Sequence, residues 1–462
     1  MSRQPPSISA AASLPQLGSA DAWEARPLLP LADVVPDEPD GLAATAGRGM
    51  LALFDQGVVS GTSFVTSVLI GHACSAEDLG GYYLALSLVL FVRGIQERII
   101  SAPYMVYCAR RAGNSGATYA ASSLVHQGIL SAASLLVMLG LLAAFCWSRQ
   151  PAIPPLVIAT MGAALPFLLL REYVRQFAFA HLEFHVAAIL DVIVAVLQLG
   201  SLLGLAYWRA LTVPWIYGVM GGSCALAGLC WYGVWRPPLK VDLRHVVADW
   251  WHNWAFGKWV LASQLLTSVA PCALPWLLNA VHGNAATGEF AACSTLVGFA
   301  NVLVTGLANQ LTPEAATAFA HGGSRALGTI LRRALIVFTL TVGCLCLVFL
   351  VAGNWLIVLV YGNQFAGSGW LLTILGLALL ARCVEMVAGN GLWALERPAA
   401  NLYGDVANLV VNLALVGCLV GRLGALALAW AALAGSLVGA VVRHKTLTRI
   451  LATFPAQPGI PL

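Results

Sequence analysis

Charge is what this chain has least of. Asp, Glu, Lys and Arg together make up 10% of its 462 residues, against about 25% in an ordinary soluble domain. Hydrophobic residues make up 59%, and mean hydropathy is +0.82. A soluble fold of this length has no means of hiding so much apolar surface. Also missing are segments of about 10 residues with alternating polarity, which excludes a membrane β-barrel. There is no glycine-rich phosphate loop ending in Lys and Ser or Thr, which excludes an ATPase of its own. The 11 cysteines lack the paired spacing of a zinc site or a disulfide framework and read as small packing residues. His181 and His185 flank Glu183, but not in the order of a metalloprotease helix and without a third ligand. No cofactor or metal is therefore expected. Basic residues exceed acidic ones only by 24 to 20, too small a field to call for nucleic acid.

What is present is a succession of apolar runs, each long enough for the roughly 20 residues that cross a bilayer as a helix. Spans are predicted near 49–71, 79–106, 122–146, 153–174, 185–206 and 213–234, then near 260–281, 290–311, 334–352, 370–392, 402–420 and 423–441. The expected fold class is thus all-α integral membrane, with about twelve transmembrane helices in two pseudo-symmetric six-helix bundles. The expected organisation is a disordered, Pro-interrupted cytoplasmic tail over 1–48, a first lobe over 49–235, a basic, Trp-rich cytoplasmic interfacial linker over 236–256, a second lobe over 257–444 and a cytoplasmic tail over 445–462. Cytoplasmic loops hold the Lys and Arg residues. With the N-terminus inside, eighteen of the 24 fall on the cytoplasmic side, and only Arg149, Arg209 and Arg422 on the other. The outward-facing loops are short, the longest near 353–369, which leaves no room for a catalytic domain; the chain is not expected to be an enzyme.

Compared with itself at a shift of 208 residues, the chain places Gly49 on Gly257, Gln56 on Gln264, Gly80 on Gly288 and Tyr82 on Phe290. At the same shift Arg93, Glu97 and Ser101 fall on Asn301, Thr305 and Asn309, so both second helices carry a polar stripe at four-residue spacing. A shift of 214 puts Asp191 on Asp405 and Gln198 on Asn412. This reads as an internal repeat of two six-helix units.

Each ionisable side chain inside a span costs about 2.5–3.5 kcal/mol on insertion scales and so calls for a partner or a wet cavity. Arg93, Glu97 and Arg98 share the second span, Arg382 and Glu385 the tenth; Asp55 lies in the first, Asp191 in the fifth and Asp405 in the eleventh. Arg93 and Glu97 are one turn apart and could neutralise each other; the alternative is that Arg93 and Arg382 face a cavity and attract an anionic substrate. Asn401, Asp405, Asn408 and Asn412 follow spacings of four, three and four, one stripe of a helix. It reads either as interhelical hydrogen bonding or as the wall of a polar path, to which Asn301, Thr305 and Asn309 would belong. Asp55 and Asp191 are candidates for coupling to a cation gradient. Pro271 and Pro275 are expected to bend the seventh span.

Four passages resemble the Wzx-type polysaccharide flippases of the multidrug, oligosaccharidyl-lipid and polysaccharide (MOP) exporter superfamily: GVVSGTSFVTSVLIGHACSAEDLGGYYLALSLVLF, REYVRQFAFAHLEFHVAAILDV, LVYGNQFAGSGWLLTILGLALL and GNGLWALERPAANLYGDVANLVVN. The resemblance implies two bundles arranged in a V, alternating access, and a saccharide carried on polyprenyl pyrophosphate across a bacterial inner membrane. The implied partners are that lipid-linked saccharide, membrane lipids and the polysaccharide assembly machinery. Gly80, Tyr82, Arg171, Asp191, Tyr361 and Gly362 match the family's motifs, with an implied role in packing. Two other readings stay open: a cation or drug antiporter of the MATE type, which the buried acids would suit, and a membrane scaffold that transports nothing.

Overall fold

The computed structural model describes residues 42–108, 111, 113–148, 152–235, 242–395 and 397–452. Residues 1–41 and 453–462, expected as tails, and 236–241 of the expected linker lie outside the described residues, as do the side chains of several, Asn309 among them. Arg48–Leu462 forms one unit; the stretch before it is another.

Among the described residues every regular element is a helix. We label them α1 (Leu42–Ala73), α2 (Ala76–Gln96, running through a π turn at Glu97–Ser101 into Ala102–Tyr107), α3 (Gly113–Trp147), α4 (Pro155–Ala180), α5 (Phe184–Tyr207) and α6 (Val213–Trp235). The helical stretch Leu243–Tyr361 is broken at Gly283 and Gly323, whose φ values of 80° and 62° no helix can hold. Glycine alone takes that conformation without a Cβ penalty. The breaks give α7 (243–282), α8 (284–322) and α9 (324–361). Then come α10 (Gly369–Ala394), α11 (Pro398–Leu423) and α12 (Ala425–Leu451), the last two separated by Gly424 at φ 54°. Among the described residues ten helical stretches are long and apolar enough to cross a membrane. Large side chains stand bare on their outer faces, such as Leu136, Val351 and Leu347; lipid, unlike water, exacts no cost for this.

Helix ends differ from expectation where charge was taken to mark them. α1 already begins at Leu42, inside the stretch expected as a tail. α4 was expected to stop at residue 174 and α12 at residue 441; they run on to Ala180 and Leu451. Arg171, Arg175 and Arg443, counted on the cytoplasmic side, are therefore helical residues with buried ion-pair partners, Asp191, Asp55 and Glu385. The asymmetry of the remaining Lys and Arg survives their removal. Residues 243–256 are helical and continue into α7 without a break at 257. Asp242 caps this helix, accepting from the Arg244 amide at 3.0 Å; the His245 ring bonded to it at 2.8 Å holds its carboxyl below the usual range. The inner face of this stretch docks on the first six helices. Arg111 pairs with Asp249 at 2.8 Å, Tyr119 donates to Asn253 at 2.8 Å, and the His126 ring bonds the Val246 carbonyl at 2.9 Å. Leu243, Val247 and Trp251 form its exposed apolar stripe.

Side chains related by the 208-residue shift do related jobs. Cys74 donates from the α1–α2 turn to Leu211 O at 3.5 Å; His282, at the matching place between α7 and α8, bonds Val420 O at 2.7 Å. Gly80 and Gly288 lie against each other where α2 crosses α8. A Cβ on Gly80 would overlap the Asn284 carbonyl, and one on Gly288 the Ala76 carbonyl, so backbone touches backbone. Around this crossing Tyr83 meets Phe290 edge-on at 6.2 Å, Phe64 meets Phe299 at 4.8 Å, and the Trp276 indole donates to Ser87 at 2.9 Å. These contacts form a seam between the first six helices and the last six.

The crossing predicts a contrast between adjacent glycines. Gly80→Ala forces backbone apart and is expected to cost about 1–3 kcal/mol, the usual range for overpacking. Gly81→Ala, where nothing lies within 4 Å of the new Cβ, is expected to leave the melting temperature of the purified protein in detergent unchanged.

Candidate functional site

The first six helices hold a buried charge cluster. Arg175 of α4 donates through Nε and Nη2 to Asp55 Oδ2 of α1 at 2.9 and 2.6 Å, and its Nε lies 3.0 Å from Asp191 Oδ2 of α5. Arg171, one turn earlier, donates through Nε and Nη2 to Asp191 Oδ1 at 2.9 and 2.5 Å. Glu172 accepts from Gln176 at 3.0 Å, and its Oε1 is 3.0 Å from Arg93 Nη2 of α2 and 3.6 Å from Arg175 Nη1. Three guanidinium groups thus face three carboxylates across four helices, and the formal charges cancel. Cancellation is what lets them sit there. In a low-dielectric interior an unpaired ion costs several kcal/mol, and removing one partner from a buried pair costs about 3–5 kcal/mol. Beside the cluster Gln198 donates to Thr66 at 2.9 Å.

The expected pairing of Arg93 with Glu97 does not form. Arg93 reaches Glu172, whose side chain is 6% exposed, while Glu97, 38% exposed, pairs with Arg98 at 3.4 Å. A charge attracts more strongly across the drier path, so the buried carboxylate wins over the neighbour on the same helix. Glu97 also opens the π turn, which interrupts the four-residue register towards Ser101. Arg93 stays at the rim, its side chain 34% exposed. Asp55 and Asp191, the coupling candidates, are the two acids held by Arg175 and Arg171.

In the last six helices Arg443 of α12 bridges Glu385 of α10 at 3.3 Å and Asp405 of α11 at 2.5 Å. Asn408 donates to both Glu385 oxygens at 3.4 and 3.3 Å, Asn412 to Asn408 at 3.5 Å, and Asn401 to the Gly389 carbonyl at 3.2 Å. The stripe Asn401, Asp405, Asn408, Asn412 is therefore one face, from which Asn401, Asp405 and Asn408 bond to neighbouring helices while Asn412 bonds back to Asn408 on its own helix. Small residues make the room: a Cβ on Gly404 would strike Arg443, and one on Gly439 would overlap Glu385. At the 214-residue shift Arg171 falls on Glu385 as Asp191 falls on Asp405, so the acid of the eleventh helix keeps its place while its arginine comes from another helix.

Arg382 stands apart. Its partner-bearing neighbours in the spans, Arg93, Arg98, Arg171, Arg175 and Arg443, each have a carboxylate; among the described residues Arg382 makes no ion pair within 4 Å, and it is exposed. At about 100° per residue it lies roughly 140° around α10 from Leu377, which lines a membrane-facing apolar groove with Leu350 and Trp430. On the other polar stripe Asn301 is half-buried and Thr305 is exposed, donating to the Asn301 carbonyl at 3.0 Å. No group of His, Cys, Asp and Glu among the described residues is placed to hold a metal; His181 instead bonds the Tyr104 hydroxyl at 3.0 Å.

The sequence reading passed over Glu172 and Arg443, and took Arg171 and Arg175 for the edge of a span. The signal was there: Arg171, Glu172 and Arg175 share a face one turn apart on a helix that must also seat Asp55 and Asp191.

No protein-family model matches the sequence, and no curated protein matches it. Solved structures do. An inward-facing multidrug resistance MATE family transporter of the MOP superfamily matches with a TM-score of 0.71 at 14% identity, over 85% of this chain and 94% of that one. The lipid II flippase MurJ in an inward closed conformation matches at 0.69 and 12% identity, over 89% and 87%. A MOP superfamily transporter from Pyrococcus furiosus, described as having a binding pocket of reverse polarity, matches at 0.63 and 14%, over 88% and 95%. The fold is that of the MOP transporters, and the chain is a multi-pass membrane protein.

The charge cluster predicts a non-additive pair. Arg175→Ala strands Asp55 and is expected to destabilise the protein by about 3–5 kcal/mol. Adding Asp55→Ala is expected to recover part of that loss, read as the coupling term of a double-mutant cycle in thermal unfolding.

Proposed function

We propose that this protein flips a lipid-linked saccharide, of the polyprenyl-pyrophosphate class, across a bacterial inner membrane for polysaccharide biosynthesis, by alternating access between its two halves and with both termini cytoplasmic. The observation that carries the reading is the contrast between Arg382 and every candidate acid. Asp55, Asp191, Glu385 and Asp405, the carboxylates a cationic drug would need, are already bound by Arg175, Arg171 and Arg443. Among the described residues Arg382 is the span arginine with no ion pair within 4 Å, and Glu385, the carboxylate that feels its charge, is itself held by Arg443. A site whose spare charge is a guanidinium suits a phosphate, which it can grip through two parallel N–H donors, and disfavours a cation. The fold shared with a lipid flippase agrees with this; so does the seam, which a sealed scaffold has no use for.

In this reading Arg382 meets the pyrophosphate, Arg93 lends a second positive rim, and Asn301 and Thr305 line the path for the saccharide. Asp55 and Asp191 couple to an ion only through a step that loosens their arginines.

A strain lacking the chain tests this. Exopolysaccharide is expected to disappear and to return with the wild-type gene. Arg382→Ala at equal membrane level is expected to lower export about tenfold or more, since a hydrogen bond to a charged group is worth ~1.5–3 kcal/mol, and Arg382→Lys is expected to fall between. Retained polysaccharide with new sensitivity to cationic drugs would favour the antiporter instead.

A further inference from the structure

The α1–α2 turn is stiff and belongs to the first six helices. Ser75 and Asp78 form a capping box, with Ser75 Oγ accepting from the Asp78 amide and Asp78 Oδ2 from the Ser75 amide, both at 3.1 Å. The loop between α9 and α10, from the other half, closes onto this turn. Gln364 donates through Nε2 to Gly71 O at 2.5 Å and to Cys74 O at 3.1 Å, and its Oε1 accepts from the Ala76 amide at 3.1 Å. One side-chain amide thereby serves carbonyls left over at the end of α1 and an N–H left over at the start of α2. Tyr361 and Phe365, both fully buried, flank it. The Tyr361 hydroxyl shares a hydrogen bond with Ser67 at 3.2 Å, and its ring fills the space beside Gly71, where a Cβ would come within 2.5 Å of Cδ1. Gly362 and Gly367, at φ 96° and 98°, shape the loop, and Asn354 Oδ1 pins it by accepting the Gly367 amide at 2.7 Å.

We propose that residues 361–367 are a latch that holds the extracytoplasmic ends of the two halves together, with Gln364 as its positioning residue, and that this latch releases before that side opens. The proposal rests on the reading of the chain as an alternating-access transporter. The latch is one-sided. At the 208-residue repeat Gln364 falls on Leu156, which is 62% exposed and has no amide to offer. Its three bonds end on helix-terminal backbone groups beside an exposed turn, where water takes over on opening. It is a tie that breaks and reforms, in contrast to the ion pairs deep within each half.

The test is the reactivity of Ser67→Cys, buried behind the latch, as the sole cysteine towards a membrane-impermeant maleimide, in intact cells and in inverted vesicles. Gln364→Ala is expected to raise labelling in intact cells about tenfold, the factor that ~1.4 kcal/mol of lost bonding makes in an opening equilibrium. As controls, Gln127→Ala, an equal truncation on α3 outside the latch, is expected to leave it unchanged, and Cys224, buried within the first half, is expected to stay protected when it is the sole thiol beside Gln364→Ala. No rise, a rise only in inverted vesicles, or an equal rise with Gln127→Ala overturns the latch. Loss of polysaccharide export without a labelling change would speak to Gln364 in transport and still overturn it. A labelling rise in a chain that exports no saccharide would keep the latch and remove the substrate assignment.

Discussion

A charge inside hydrocarbon must meet an opposite charge, and in this protein that requirement decides which helices are bound together. Asp55, Arg93, Arg171, Glu172, Arg175 and Asp191 come from α1, α2, α4 and α5. No one of these helices can leave without breaking an ion pair. Glu385, Asp405 and Arg443 bind α10, α11 and α12 in the same way. The Asn401, Asp405 and Asn408 side chains thus tie α11 to its neighbours.

Between the halves the chemistry changes. Apart from the Arg111–Asp249 ion pair near the start of α7, the seam is made of glycine backbones, aromatic edges and single neutral hydrogen bonds, such as Trp276 to Ser87 and Gln364 to the α1–α2 turn. Neutral bonds of this kind are worth about 0.5–1.5 kcal/mol each, several-fold less than a severed buried ion pair. Away from the Arg111–Asp249 pair, the seam is therefore held more weakly than either half is held within itself. The close approach at Gly80 and Gly288 gives the closed state its fit without any strong bond to break.

Much of this was legible in the sequence. Long apolar runs specify helices because a bilayer admits little else, and the Gly80 and Gly288 positions stood out under self-comparison before the structure brought them into contact. Arginine was misread. Arg171, Arg175 and Arg443 were placed at span ends because charge ordinarily marks an interface; here the helices continue for a turn or more and bury them. The partner of Arg93 was sought one turn away on its own helix, where spacing is visible, although the deeper Glu172 lies 79 residues along the chain, where spacing says nothing. The interhelical use of the Asn401–Asn412 stripe turns on Arg443 and on the room left by Gly404 and Gly439, which no periodicity within α11 reveals.

Under the proposed alternating access, the two internally neutralised halves move as bodies along the seam. Spin labels on the exposed positions Trp147 and Trp208, both in the first half, and on Trp147 and Trp370, across the seam, test it most directly by pulsed distance measurement in lipid. The account predicts one narrow distance for the first pair in every condition, and for the second pair two populations whose ratio shifts with Gln364→Ala. A first-half distance that changes as much as the cross-seam distance would contradict it.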